Sequence, residues 1–163
     1  MAYKVAIDSS NSSENKNGIV EKDFTFTIAK YINERLNNIG IENFLVDENN
    51  TGLTDEEKVN IIKDKYGNGN NIIVISNRLN KGGKNGAEIM YPLRNNSKLA
   101  SLIASNLEDA GQTVLKYYQL RNNSDTSKDD DYLIRNTANN YLSVKTIPKR
   151  TDPTFERSTP LHY

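Results

Sequence analysis

Tyr3 to Asp8 (YKVAID) alternates apolar and polar positions and runs into the polar stretch SSNSSENKNG, which predicts a strand entering a long turn. From Glu21 to Ile39, the residues Phe24, Ile28, Ile32 and Leu36 recur at every fourth position, with Tyr31 and Ile39 beside them. That spacing predicts one face of an amphipathic helix, stopped by Gly40. Asn43 to Val46 predicts a short strand. Thr54-Asp55-Glu56-Glu57 fits a capping box, with Thr at the N-cap and Glu three positions on. The helix it opens carries Val59, Ile61 and Ile62 inward and ends near Gly67. Ile72 to Ile75 is a continuous β-branched run, the pattern of a central strand buried on both faces. Ala87 to Tyr91 is another strand. Ser97 is expected to cap a helix with Leu99, Leu102, Ile103 and Leu107 inward, ended by Gly111.

The last third is patterned more weakly. Val114 to Leu120 and Tyr132 to Arg135 predict strands around a polar loop, and Tyr141 to Ile147 predicts the final strand. From Pro148 onward no helical or strand period survives, and three of the four prolines lie there, so residues 148–163 read as an extended arm. Strands alternating with helices imply a single α/β domain over residues 1–147, a mostly parallel central sheet with helices on both faces in three layers.

Composition narrows the chemistry. The chain of 163 residues suits one domain. Lys plus Arg and Asp plus Glu both number 21, so the net charge is zero, which argues against a nucleic-acid partner. There is no cysteine, so disulfide scaffolds and thiolate metal sites are excluded. One histidine, His162, lies next to the C-terminus, which excludes chemistry needing two. No apolar run approaches the roughly 20 residues of a membrane span, so no membrane insertion is expected. The N-terminus lacks a signal-peptide pattern; synthesis in a bacterial cytoplasm is expected, followed by a place in a virion or release by lysis.

Ligands of open α/β sheets gather beyond the carboxyl ends of the strands. Three segments fall there: Asp8 to Gly18 leading to Glu21, Ser76 to Gly83, and Val144-Lys145. The piece KGGKNG lacks the Gly-Lys-Ser/Thr of a phosphate loop and reads as a flexible turn.

Three strings in these regions carry a resemblance. IVEKDFTFTIAKYI, IIVISNRLNKGGKNGAEIMYPLRNNSKLASLI and LIRNTANNYLSVKTI are similar to blocks of the zinc-dependent N-acetylmuramoyl-L-alanine amidases of the amidase-3 family. The similarity runs from Tyr3 to about Ile147 and implies that family's fold. It also implies a site. Active members take zinc from a His in D-x-G-H-G, a Glu opening the EKD helix and a His in SNHxN, with a Glu on the last strand as base. Here Asn11 stands at the first ligand, Glu21 is kept, Arg78 stands at the third ligand, and Lys145 replaces the base. Asn77, Asn80 and Arg94 are the candidates for lining the old substrate groove.

Arginine has no lone pair to donate, and its charge opposes a dication. The expectation is therefore a degenerate member with no zinc, in which Arg78, with Lys145 nearby, forms an ion pair with Glu21 in the metal's place. The functional expectation is an inactive amidase-like module. It binds peptidoglycan, or a protein through the arm with Phe155, Leu161 and Tyr163 as anchors, or serves as a structural subunit of a phage-type or other assembly, including a homo-oligomer. The alternative is a zinc-dependent amidase cleaving the bond between muramic acid and L-alanine.

Overall fold

The computed structural model describes residues 2–16, 18–80, 85–137 and 140–146. Strand β1 (Lys4–Ser9) leads into a small hairpin, β2 (Asn15–Lys16) and β3 (Ile19–Val20), and then helix α1 (Glu21–Asn38). Strand β4 (Asn43–Leu45), helix α2 (Asp55–Tyr66), strand β5 (Ile72–Leu79) and strand β6 (Ala87–Met90) follow. Helix α3 (Lys98–Asp109), strand β7 (Val114–Tyr118), helix α4 (Tyr132–Asn136) and strand β8 (Asn140–Thr146) complete the described fold.

The six main strands form one sheet in the order β4-β1-β5-β8-β6-β7. All neighbours are parallel except β6 and β8, which run antiparallel. The carboxyl ends of β1, β5 and β8 therefore lie side by side at one edge of the sheet, where a ligand is expected.

Alternation along the strands assigns the two faces. Ala6, Val74 and Tyr141 pack with Val59, Ile62, Leu133 and Ile134 of α2 and α4. Val5 and Ile7 on the opposite face pack against Ala29 of α1, and Leu142 and Val144 against Ala100 and Ala104 of α3. Helices thus cover both faces. Burying each large aliphatic side chain of this core stabilises the fold by about 1.5–3 kcal/mol.

Several local expectations hold. The capping box is complete: Thr54 Oγ1 accepts from Glu57 N at 3.2 Å, and Glu57 Oε2 accepts from Thr54 N at 2.7 Å. Others need correction. Tyr132 to Arg135 is helical, because Asp131 caps the turn by accepting from Ile134 N at 3.0 Å. Ser97 makes no side-chain cap; Asn96 Oδ1 accepts from Lys98 N instead. Leu102 is 52% exposed, whereas Leu99, Ile103 and Leu107 pack on the core as expected, beside the more deeply buried Ala100 and Ala104. Small residues there let the helix sit close to the sheet. In α1 the most buried line is Glu21, Thr25 and Ala29, with the predicted apolar stripe on its shoulder; Tyr31 and Ile39 are exposed. Strand β5 continues past Ile75 to Leu79, because its polar end is paired with both β1 and β8 as far as Asn77 and with β8 through Leu79. The turn after β1 contains the β2–β3 hairpin, closed at Gly18 with φ +84°, a conformation that glycine adopts without strain.

Candidate functional site

A cavity of about 610 Å³ opens at the carboxyl ends of β1, β5 and β8. Ser10, Asn11, Ser12, Glu21, Arg78, Leu79, Asn80, Asp131, Ser143 and Lys145 line it. All four substituted or retained family positions, Asn11, Glu21, Arg78 and Lys145, thus meet in one place although they come from four segments.

Glu21 is set by the start of α1. Its backbone N–H donates to Glu14 O at 3.1 Å, and the next N–H, of Lys22, donates to Ser12 O at 2.9 Å. Thr25, one turn on, accepts from Ser10 N at 3.0 Å and donates to Glu21 O at 2.9 Å. This stitches the helix start to the loop after β1. The Glu21 carboxylate is buried, and its Oε1 accepts from Leu79 N at 3.2 Å, tying α1 to the end of β5. A carboxylate at a helix N-terminus also gains from the helix dipole.

Arg78 does not form the expected pair with Glu21. Its Nη2 donates to Asp8 Oδ2 at 3.2 Å. The sheet register explains the correction. Asp8 is the Cα partner of Ser76, one alternation before Arg78 on the same face, whereas Glu21 approaches β5 from beyond its end. Asp8 is fully buried and also accepts from Ser76 Oγ at 2.6 Å. Its other oxygen lies 2.8 Å from Lys58 Nζ, and that ammonium, fully buried on α2, donates to Ser9 O. One carboxylate thus holds two cations. Burial works against the charge of Arg78, but Asp8, with smaller contributions from Tyr141, Asp131 and Asp55, raises its pKa above the ordinary value, so the guanidinium stays protonated.

Asn11 lines the cavity and is tied to the segment before and at the start of α2. Its Nδ2 donates to Leu53 O at 3.0 Å and to Asp55 Oδ1 at 3.2 Å, pinning the loop after β1 to the start of α2. Lys145 is the Cα partner of Arg78 on the neighbouring strand, and its Nζ lies 3.3 Å from the Tyr118 hydroxyl. Of the groove candidates, Asn80 lines the cavity. Asn77 and Arg94 are placed elsewhere: Asn77 Nδ2 braces β1 through Asp8 O at 3.0 Å, and Arg94 Nη1 donates to Ile134 O at 2.7 Å. Phe155, Leu161 and Tyr163, like the rest of the expected arm, lie outside the described residues, as do Lys81 to Lys84 of the glycine-rich turn.

Sequence reasoning missed Asp8 as the partner of Arg78, Lys58 as a second buried cation, and Asp131. Lys58 sits on the inward face of α2 beside Val59 and Ile62, a position where an unpaired lysine is not tolerated. That placement was the available signal. Asp131 caps α4 and faces the cavity; burial, the largest influence, raises its carboxyl above the ordinary value despite the Ile134 N–H and Arg78.

The chain belongs to the amidase-3 family, N-acetylmuramoyl-L-alanine amidase, whose model matches residues 6–147. Solved structures agree on the fold. Cwp6 from Clostridium difficile superposes with a TM-score of 0.75 at 21% identity, over 89% of this chain and 24% of that one. The chain therefore spans about a quarter of the length of Cwp6. The catalytic domain of CwlV, an N-acetylmuramoyl-L-alanine amidase from Bacillus (Paenibacillus) polymyxa, gives 0.68 at 19% identity over 88% and 79%. The amidase AmiC2 of Nostoc punctiforme gives 0.70 at 18% identity over 90% and 82%. No curated protein matches the chain.

The residues present do not fit the zinc that the family resemblance implies. Of the three ligand positions, only Glu21 offers a carboxylate. Asn11 offers a neutral amide oxygen in place of an imidazole, and Arg78 presents a protonated guanidinium with no lone pair. Among the described residues no group of three His, Cys, Asp or Glu side chains is placed to hold a metal ion.

Proposed function

We propose that this amidase-3 domain is a catalytically inactive module that binds peptidoglycan through the cavity at the ends of β1, β5 and β8, without zinc and without hydrolysis. The observation that carries this reading is the Arg78 guanidinium, held by Asp8 and standing at a ligand position of active family members. A fixed positive charge there opposes a dication and leaves no route to an activated water. Lys145 lines the cavity at the position of the base, where the resemblance implies a carboxylate in active members. The cavity itself persists, with polar groups from the three strand ends, so a surface for wall fragments is kept while the chemistry is lost.

The family match and the retained Glu21 favour a second reading, cleavage of the bond between N-acetylmuramic acid and L-alanine. Dye release from labelled peptidoglycan separates the two. The inactive reading expects release equal to buffer together with co-sedimentation of the protein with insoluble walls. Release that disappears in Glu21→Ala would establish the second reading.

A further inference from the structure

The sheet is not evenly covered on the face that carries α1 and α3. The register sets Ile7, Ile75 and Leu142 in one row across three neighbouring strands of that face. Ile7 and Leu142 are each 1% exposed, whereas Ile75 between them is only half-buried, and so is Ile73 one alternation away. The other face of the same strand, with Val74 and Ser76, is fully buried. β5 is a central strand, and a β-branched pair at the middle of a parallel run is expected to be covered on both faces.

The placement of the helices explains the gap. α1 rests on β1 with β4 and β5 at its sides, and α3 rests on β6 and β7. Three strand spacings separate β1 from β6, about 14 Å. Helices in direct contact lie about 8–10 Å apart, so α1 and α3 do not close over β5. Lys22 and Asn33 tie one flank of α1 to Asn50 O and Asn43 Oδ1 on the β4 side. Ile28 and Tyr31 lie on the opposite flank, toward α3. α3 follows β6 as α1 follows β1, each crossing with the same hand to an outer parallel strand, so α3 turns the equivalent flank, with Leu99 and Ile103, toward α1. An apolar trench therefore runs over β5, floored by Ile73 and Ile75 and walled by these four side chains. Tyr31 is 58% exposed, and the other three are half-buried.

We infer that residues 147–163 of the same chain seat Phe155 and Leu161 in this trench and complete the core of the domain. Thr146 ends β8, the strand beside β5, and shares a face with Leu142 and Val144, so the chain leaves the sheet at one end of the trench. The 17 residues that follow reach about 55 Å when extended, twice the roughly 26 Å of the eight-residue β5. The tether holds them near the trench at an effective concentration in the millimolar range, which a separate partner does not match. Pro148, Pro153 and Pro160 reduce the conformational freedom lost on docking. Phe155 and Leu161 bring the large apolar side chains whose burial drives it. The anchors expected to engage a partner protein are then used inside the chain's own fold.

A single tryptophan tests this, because the chain has none. Phe155→Trp and Leu161→Trp, made separately in the full chain, each report whether their position is covered. The expected result is emission blue-shifted from that of the urea-unfolded chain, with severalfold weaker quenching by acrylamide, at every protein concentration. Adding Tyr31→Asp or Ile103→Asp on the walls should shift the emission back to the red and restore quenching. Tyr31 is 58% exposed, so its change keeps the fold if the Ile103 change does not. Solvent-exposed emission from both tryptophans would overturn the inference. So would burial that the wall variants leave unchanged, which would place the segment elsewhere, and burial that is lost on dilution, which would assign the trench to a second copy of the chain.

Discussion

Asp8 Oδ2 lies 3.2 Å from Arg78 Nη2, and the same carboxylate lies 2.8 Å from Lys58 Nζ. The sequence resemblance directs attention to Glu21 as the partner of Arg78, but the ion pair is formed one strand over, at the end of β1. The cation at the ligand position is thereby part of the buried framework of the sheet. A buried pair of this kind seldom adds net stability over an apolar core, yet removing one member is costly, because the remaining charge is stranded.

Asp8→Ala is accordingly expected to lower unfolding stability by about 3–5 kcal/mol, since it leaves Lys58 and Arg78 without their anion. Arg78→Met should cost less, because Lys58 and the Ser76 hydroxyl still hold Asp8. Urea denaturation of the two variants gives the order directly. A larger loss for Arg78→Met would show that Asp8 is not the hub.

Asn11 is a structural clamp in this account. Asn11→Ala should cost about 1 kcal/mol by removing hydrogen bonds to Leu53 O and Asp55. Asn11→Asp should cost more, because it sets a second carboxylate against Asp55. Equal stability of the two variants would argue that the amide contributes nothing here.

Much of the fold is legible in the chain. The α1 and α2 periodicities, the β-branched run of β5 and the capping box at Thr54 each have a local cause that sequence displays. Helix α4 was hidden because four residues with two apolar neighbours suit a strand equally well, and only the Asp131 cap decides. The site was legible in its membership and not in its pairing. Asn11, Glu21, Arg78 and Lys145 line one cavity, and it was the family resemblance that singled them out. Which carboxylate meets Arg78 depends on strand register and on which side of the sheet each group faces, and neither is written in local pattern.

The capping box offers a check on the local reading. Thr54→Ala should destabilise the fold by about 1 kcal/mol. Thermal unfolding of the variant measures it. A change within error would mean that α2 is held by its packing on the sheet and that its cap is dispensable.

Asp47 predicts a pH dependence. Burial alone would raise its carboxyl, but hydrogen bonds from the Thr51, Gly52 and Leu53 N–H groups and the Thr51 hydroxyl outweigh it and lower the pKa below 3.8. A group depressed in the folded state contributes stability that is present above its unfolded value and lost as pH falls through the folded one. Stability should therefore decline as pH drops below 3.8, and Asp47→Asn should flatten that decline. An acid limb that is unchanged in the variant would remove Asp47 as a cause.

The central claim is that a guanidinium held by Asp8 has displaced metal chemistry from an amidase site. Elemental analysis of the purified full chain after equilibration with zinc and removal of excess tests it most directly. The account predicts no stoichiometric zinc in the wild-type protein and the same result for Glu21→Ala. One zinc per chain, lost in Glu21→Ala, would contradict it.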